Sequence, residues 1–93
     1  SKGHCLVVPN RVYSDYFEST NEEIMALSQL LLKTKEYLDL KYKPCGYNIG
    51  INIGEDSGQT IWHVHIHIIP RYKGDVKNPR GGIRNVIPGM GDY

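Results

Sequence analysis

The chain has 93 residues, a formal net charge of +1 at neutral pH, 40% hydrophobic residues and 23% charged ones. That length supports one domain, which buries only about 60–65% of the surface its unfolded chain exposes, so its stability margin is thin and self-association would help. The composition excludes a disordered tail, and the near-neutral charge excludes a global pull toward nucleic acid or an anionic membrane. An anionic ligand must therefore be held by a local site. No run reaches the roughly 18 apolar residues that would span a bilayer, and no signal-peptide pattern opens the chain. Cys5 and Cys45 are too few and too far apart for a disulfide framework. They are expected to be reduced and buried, in a cytoplasmic protein. The chain starts without an initiator Met and meets an apolar run at Cys5 almost at once, which reads as an excised piece of a longer protein.

The first predicted element is "HCLVVP" (4–9), a short apolar run closed by Pro9 that reads as a buried strand. A connection, "NRVYSDYFES", follows. Thr20 and Glu23 in "TNEE" then form a capping-box signature. Ile24, Leu27, Leu31, Thr34 and Leu38 follow the 3.6-residue period, widened by Leu30, and predict a helix over 21–41 that "KPCG" stops. Lys33, Lys35, Glu36 and Asp39 mark its solvated face. In "GYNIGINIG" (46–54), Tyr47, Ile49, Ile51 and Ile53 alternate with Asn48, Gly50, Asn52 and Gly54, which predicts a strand with one apolar face and one polar face nearly free of side chains. "EDSGQT" is a turn, and "IWHVHIHII" (61–69) is the second strand of a hairpin, ended by Pro70. The Gly- and Pro-rich tail should be mostly irregular, with a short strand at 83–87. The order is an α+β plan, one long helix against an antiparallel sheet.

The chemistry concentrates in "WHVHIHIIPR". On a strand, His63, His65 and His67 project from one face and Val64, Ile66 and Ile68 from the other. If the hairpin pairs as drawn, the histidines lie beside the Asn/Gly face of the preceding strand, which makes a shallow polar groove. Three readings fit such a line. It could be surface alternation, although three histidines in register over a Gly/Asn floor are a poor match to accident. It could be a metal site, since imidazole is a common zinc ligand. The outer two Cα atoms, however, lie roughly 13–14 Å apart at strand rise, so two neighbours could chelate but not all three. The third reading is catalysis on a phosphate: neutral imidazole is a good nucleophile near pH 7, and flanking imidazoles can donate to phosphate oxygens. Ser57, in a turn without an evident base, and Cys5, in an apolar run, are poor competitors. Trp62 reads as core or interface packing. Arg80 and Arg84, in a Gly/Pro loop, read as solvated.

The stretch "GQTIWHVHIHIIPRYKGD" resembles the signature of the histidine triad (HIT) superfamily, His-x-His-x-His followed by two apolar residues. "NIGINIGEDSGQT" is similar to the family's strand and turn before the triad, and "GHCLVVPNR" to its segment carrying a fourth histidine. The resemblance implies a single HIT domain over 1–93, N-terminally truncated, because the strands that usually precede "GH" and build much of the base and ribose pocket are missing. It implies a nucleotidyl hydrolase or transferase in which His65 attacks the α-phosphorus, His63 and His67 contact phosphate oxygens, and His4 supports them. Asn52, Gln59 and Thr60 match polar positions near the ribose, phosphates and leaving group. No cofactor or metal is implied. The Cys pair of zinc-binding members is absent, and Val12 stands where their histidine would be. A homodimer with a continuous sheet and a nucleotide substrate are the expected partners. The "PR" and "GD" after the triad are closest in pattern to the dinucleoside polyphosphate hydrolase, fragile histidine triad-like branch. An adenosine phosphoramidate hydrolase, or a nucleotide-binding interaction module with incidental turnover, is the alternative. The phosphorylase relatives carry Gln in place of the last histidine, which His67 retains here. Neither a zinc finger nor a basic patch points to DNA-end processing.

Overall fold

Helix α1 (Asn21–Tyr42) starts where its capping box requires. The Thr20 hydroxyl accepts from the Glu23 amide at 3.1 Å, and the Glu23 carboxylate accepts from the Thr20 amide at 2.8 Å. Arg11 adds a bidentate fork to Glu23 at 2.8–2.9 Å, which helps to hold that carboxyl down at about 2. At the other end Lys43 takes the left-handed conformation, φ 52°, and Pro44 follows, so the helix runs one residue beyond expectation. A computed structural model describes residues 1–91. Its strands are β1 (Cys5–Val7), β2 (Gly46–Gly50) and β3 (Ile66–Arg71), joined in one antiparallel sheet of order β1-β3-β2. This is the expected α+β plan.

Alternation decides which face of the sheet meets the helix. Val7, Ile66 and Leu27 form the central cluster, with Tyr16, Leu31 and Ile51 against it, and Leu38, Val64 and Ile68 are also buried. The helix stripe is narrower than its periodicity suggests. Leu27 and Leu38 are buried, whereas Ile24 and Leu30 stay 37% and 43% exposed, because three short strands do not reach the whole helix. The Tyr47 hydroxyl donates to the Asp39 carboxylate at 2.7 Å and ties β2 to α1. Cys5 is half-buried but Cys45 is exposed, and Trp62, 54% exposed, lies outside the core. Cys45 therefore departs from the burial expected of it, and Trp62 from the core half of its core-or-interface reading. Among the described residues no helix is long and apolar enough to cross a membrane.

Three element boundaries depart from expectation, each for a backbone reason. Pro70 does not end the last strand; it pairs with Tyr47 inside β3. Its carbonyl accepts from the Ser1 hydroxyl at 2.8 Å on the β1 side. Because N–H and C=O of one strand residue point the same way, the missing N–H also faces that side, beyond the end of β1, where no ladder bond is lost. The hairpin ladder is shorter than drawn, since β2 stops at Gly50 and β3 begins only at Ile66. Residues 61–63 bend, and the Val64 amide donates to the Tyr13 carbonyl at 2.7 Å instead of to residues 51–53. The expected strand at 83–87 is a 3₁₀ turn, Gly82–Val86. Gly81 and Gly82 enter it with φ 85° and 47°, values that a β-branched residue would resist, and it packs beside β2.

Candidate active site

The face of the sheet turned away from α1 carries the histidines. Register puts Leu6, His67 and Gly50 side by side across the three strands, with Asn48 opposite Ile69 and Gly46 opposite Arg71. A Cβ built on Gly50 would meet nothing within 4 Å, so the floor beside His67 is open, as the Asn/Gly alternation suggests. Alternation also persists through the triad. His63, His65 and His67 are half-buried, and Val64, Ile66 and Ile68 between them are buried.

Each histidine has a different partner. The His63 Nε2–H donates to the Pro9 carbonyl at 2.8 Å. The His65 Nδ1–H donates to the His63 carbonyl at 2.8 Å. A carbonyl oxygen only accepts, so each bond assigns a tautomer to the neutral ring, and in His65 it leaves the lone pair on Nε2. His67 Nδ1 lies 3.0 Å from His4 Nε2. The His67 ring centre is 5.2 Å from that of His4 and 5.1 Å from that of His65. Burial, and then the neighbouring His65 and His4, push the His67 pKa below its ordinary value. His67 is therefore neutral at pH 7. Among the described residues no group of three His, Cys, Asp or Glu side chains is arranged to hold a metal ion.

The segment 9–14 acts as a strap along the first half of the triad. It receives His63 at Pro9, the Val64 amide at Tyr13 and the Gln59 amide at Ser14. Tyr13 is buried, its hydroxyl paired with Ser19 at 2.7 Å and its ring under the Arg11 guanidinium at 4.0 Å. This strap was not foreseeable from residue types, because its acceptors are main-chain carbonyls that any side chain leaves in place.

The polar positions matched by resemblance separate into distinct settings. Asn52 is exposed and lines a cleft of about 600 Å³ together with His4, His67 and Gly50. Gln59 is only 4% exposed. Its Nε2 donates to the Ser14 and Ile61 carbonyls at 2.9 and 3.1 Å, and its Oε1 accepts from the Gly54 amide at 2.9 Å. Both amide hydrogens are thus engaged with the backbone, so Gln59 braces the loop that leads into the triad. Thr60 is exposed. Arg84 is exposed, as expected of a Gly/Pro loop, and its Nε–H donates to the Met90 carbonyl at 2.9 Å. Downstream, the "PR" and "GD" pairs have a physical meaning. Arg71 forks onto Asp75 at 2.8 and 2.9 Å and also donates to the Asn48 side chain across the ladder. That fork, with the Tyr72 amide, holds the Asp75 carboxyl well below the usual carboxylate range.

The HIT domain family model matches residues 1–74. An uncharacterised HIT-like protein of Methanocaldococcus jannaschii is 42% identical over 87 residues, 92% of this chain and 67% of that protein. The asymmetrical bis(5′-nucleosyl)-tetraphosphatase of Schizosaccharomyces pombe is 40% identical over 73 residues, 78% of this chain and 40% of that enzyme. Among solved structures, the NitFhit protein of C. elegans superposes with a TM-score of 0.78 at 35% identity, covering 92% of this chain and 20% of that one. This chain therefore spans between 40% and 67% of the length of these two sequence relatives. Matched by its family model across residues 1–74, and carrying the three alternating histidines with a fourth, His4, against His67, the chain belongs to the HIT family.

Proposed function

We propose that the domain is a nucleotidyl hydrolase or transferase that cleaves dinucleoside polyphosphates at the α-phosphate through a nucleotidyl-histidine intermediate. The observation that carries this reading is the 2.8 Å bond from His65 Nδ1–H to the His63 carbonyl, which keeps a lone pair on His65 Nε2. In the first step Nε2 attacks the α-phosphorus and forms a P–N bond. The P–O bond to the leaving polyphosphate breaks, and the leaving oxygen keeps the electron pair. In the second step a water oxygen attacks the same phosphorus, the P–N pair returns to Nε2, and the water proton is released. His67, neutral and beside His4, can donate an N–H to a phosphate oxygen. His63, anchored to Pro9, borders the nucleophile. Positioning and hydrogen bonding carry such a substitution, and no step calls for a metal. Asn52 serves the ribose and phosphate side of the cleft, Thr60 the leaving group, and Gln59 positions the loop that leads into the triad.

Support for the substrate class comes from the S. pombe relative, whose name is that of a dinucleoside tetraphosphatase. The deciding measurement is AMP release from diadenosine triphosphate and from an adenosine phosphoramidate, by wild type and by His65→Ala. Loss of at least about 10³-fold in the variant is expected. Equal rates would sink the nucleophile assignment. The faster substrate identifies the branch, and activity that vanishes with EDTA would revive a metal role.

The same proposal includes a homodimer through the outer edge of β2 and the adjoining face of α1. Leu32 and Ile49 are 56% and 47% exposed there and line an apolar groove of about 310 Å³. Light scattering that reports a monomer at high concentration would count against it. Cys5 and Cys45, both unpaired, suit a reducing compartment such as the cytoplasm.

A further inference from the structure

The strap of residues 9–14 belongs to no strand or helix, since it lies between β1, which ends at Val7, and the 3₁₀ turn Tyr16–Glu18. Its main-chain carbonyls nevertheless seat the His63 ring, the Val64 amide and the Gln59 amide. A backbone without a ladder is held by what its side chains grip, and two of them do so here. Tyr13 is buried and pairs with Ser19. Arg11 stands midway between Pro9 and Tyr13 in the chain. Its guanidinium meets both Glu23 carboxylate oxygens at 2.8 and 2.9 Å, the Glu18 carbonyl at 3.2 Å and the Tyr13 ring at 4.0 Å. The Arg11 side chain is 51% exposed, and an exposed ion pair adds little to stability. A bidentate fork combined with ring stacking instead fixes direction.

We infer that Arg11 is a positioning residue for the triad: anchored on the first turn of α1, it sets the strap carbonyls that orient His63 and, through the His63 carbonyl, His65. Arg11 does not line the cleft that His4, His67 and Asn52 share, so it acts through other residues. The chain of contacts is continuous. Glu23 holds Arg11, the Pro9 carbonyl of the strap takes the Nε2–H of His63, and the His63 carbonyl takes the Nδ1–H of His65. Glu23 is itself fixed, because its carboxylate also closes the capping box on the Thr20 amide. The start of α1 is thereby the reference point for two imidazoles on the opposite face of the sheet. The effect on rate rests on the hydrolase reading above, whereas the effect on ring orientation does not.

The test compares Arg11→Met and Glu23→Gln with wild type in the full chain. Gln keeps the capping-box acceptor for Thr20 while removing the charge from the fork. Thr20→Ala, which weakens the same helix start outside the strap, is the control. Nitrogen NMR of the imidazole rings at about pH 8, above the ordinary titration range of histidine, reads which nitrogen carries the hydrogen. Wild type should carry it on Nε2 of His63 and on Nδ1 of His65. In Arg11→Met, and more weakly in Glu23→Gln, the His63 signals should move toward a mixture of tautomers, while Thr20→Ala should match wild type. For AMP release from diadenosine triphosphate, kcat of Arg11→Met should fall by roughly tenfold to 10²-fold with KM within about twofold, the scale of a small misplacement of a reacting group. Circular dichroism checks that α1 is retained, and Glu23→Gln carries the test if Arg11→Met does not fold. Unchanged His63 signals in both variants overturn the inference, as does an unchanged kcat in both. A Thr20→Ala shift as large as that of Arg11→Met also overturns it, because a weakened helix start would then suffice. The two readings fail separately. A His63 tautomer that follows Arg11 in a chain releasing no AMP keeps the positioning and removes the hydrolase. An active hydrolase whose tautomers ignore Arg11 keeps the reaction and removes the positioning.

Discussion

Replacing Gln59 by leucine tests whether this residue positions the triad or touches the substrate. The side chain is 4% exposed and makes three hydrogen bonds of 2.9–3.1 Å, joining Gly54, Ile61 and Ser14. Leucine keeps most of the volume, so the loss is chiefly of those bonds, at about 0.5–1.5 kcal/mol each, or roughly 2–4 kcal/mol together. A domain of this length has a total stability of order 5–14 kcal/mol, so the effect is a large fraction of it. With a urea slope of about 1–2 kcal/mol/M, the unfolding midpoint should fall by roughly 1–4 M, followed by the circular dichroism of α1. A fall below about 0.5 M would mean that water replaces the amide at little cost. Kinetics then separates the two roles. Gln59 bonds the carbonyl of Ile61, two residues before His63, so kcat should fall with KM nearly unchanged. A raised KM at unchanged kcat would restore the direct substrate contact and refute the positioning argument.

Thr20→Ala removes the hydroxyl that accepts from the Glu23 amide; it should cost about 1 kcal/mol in denaturant unfolding, and no measurable loss would mean that Glu23 and Arg11 cap α1 unaided. His67 has a folded pKa below its ordinary 6.5, so the unfolded chain binds its proton first. Stability should be full above about pH 6.5 and decline as pH falls toward the folded value. His67→Asn should flatten that slope between pH 7.5 and 5.5, and an identical slope would place the titration elsewhere. Arg71→Lys loses the fork to Asp75, so a carboxyl NMR titration should find the Asp75 pKa closer to the ordinary range. A value as low as in wild type would assign the depression to the Tyr72 amide.

How much was legible depends on whether an interaction is written in side chains or in backbone. The α1 start was legible because a capping box is a side-chain device, and Thr20 and Glu23 use it as spaced. The two faces of the sheet were legible because alternation holds through 63–69 even where no ladder bonds form. The end of the hairpin ladder was not. It ends where Tyr13 takes the Val64 amide, and a main-chain carbonyl leaves no residue-type signal. Pro70 misled for a related reason, since the cost of a missing N–H depends on whether a neighbour stands opposite, and β1 is too short to reach it. The tail misled because its five-residue stretch of mixed apolar and polar residues fits a short strand by pattern, while two consecutive left-handed glycines turn it.

The same division explains why three histidines at equal spacing are not equivalent. Alternation gives them one face but says nothing about which nitrogen carries the proton. The backbone decides that, and it decides oppositely for neighbours in the row: the Pro9 carbonyl requires the hydrogen on His63 Nε2, and the His63 carbonyl requires it on His65 Nδ1. His63 is thereby left with its lone pair on Nδ1, close to its own backbone, and His65 with its lone pair on Nε2, at the far edge of the ring. The second geometry is the one that the proposed attack on phosphorus uses. His67 answers to neither carbonyl but to His4, which arrives from the start of the chain. The strap of residues 9–14 and the "GH" segment before it therefore do the same kind of work from two sides. Each gives a repeated residue its own partner, and that is what distinguishes the three rings in the structure.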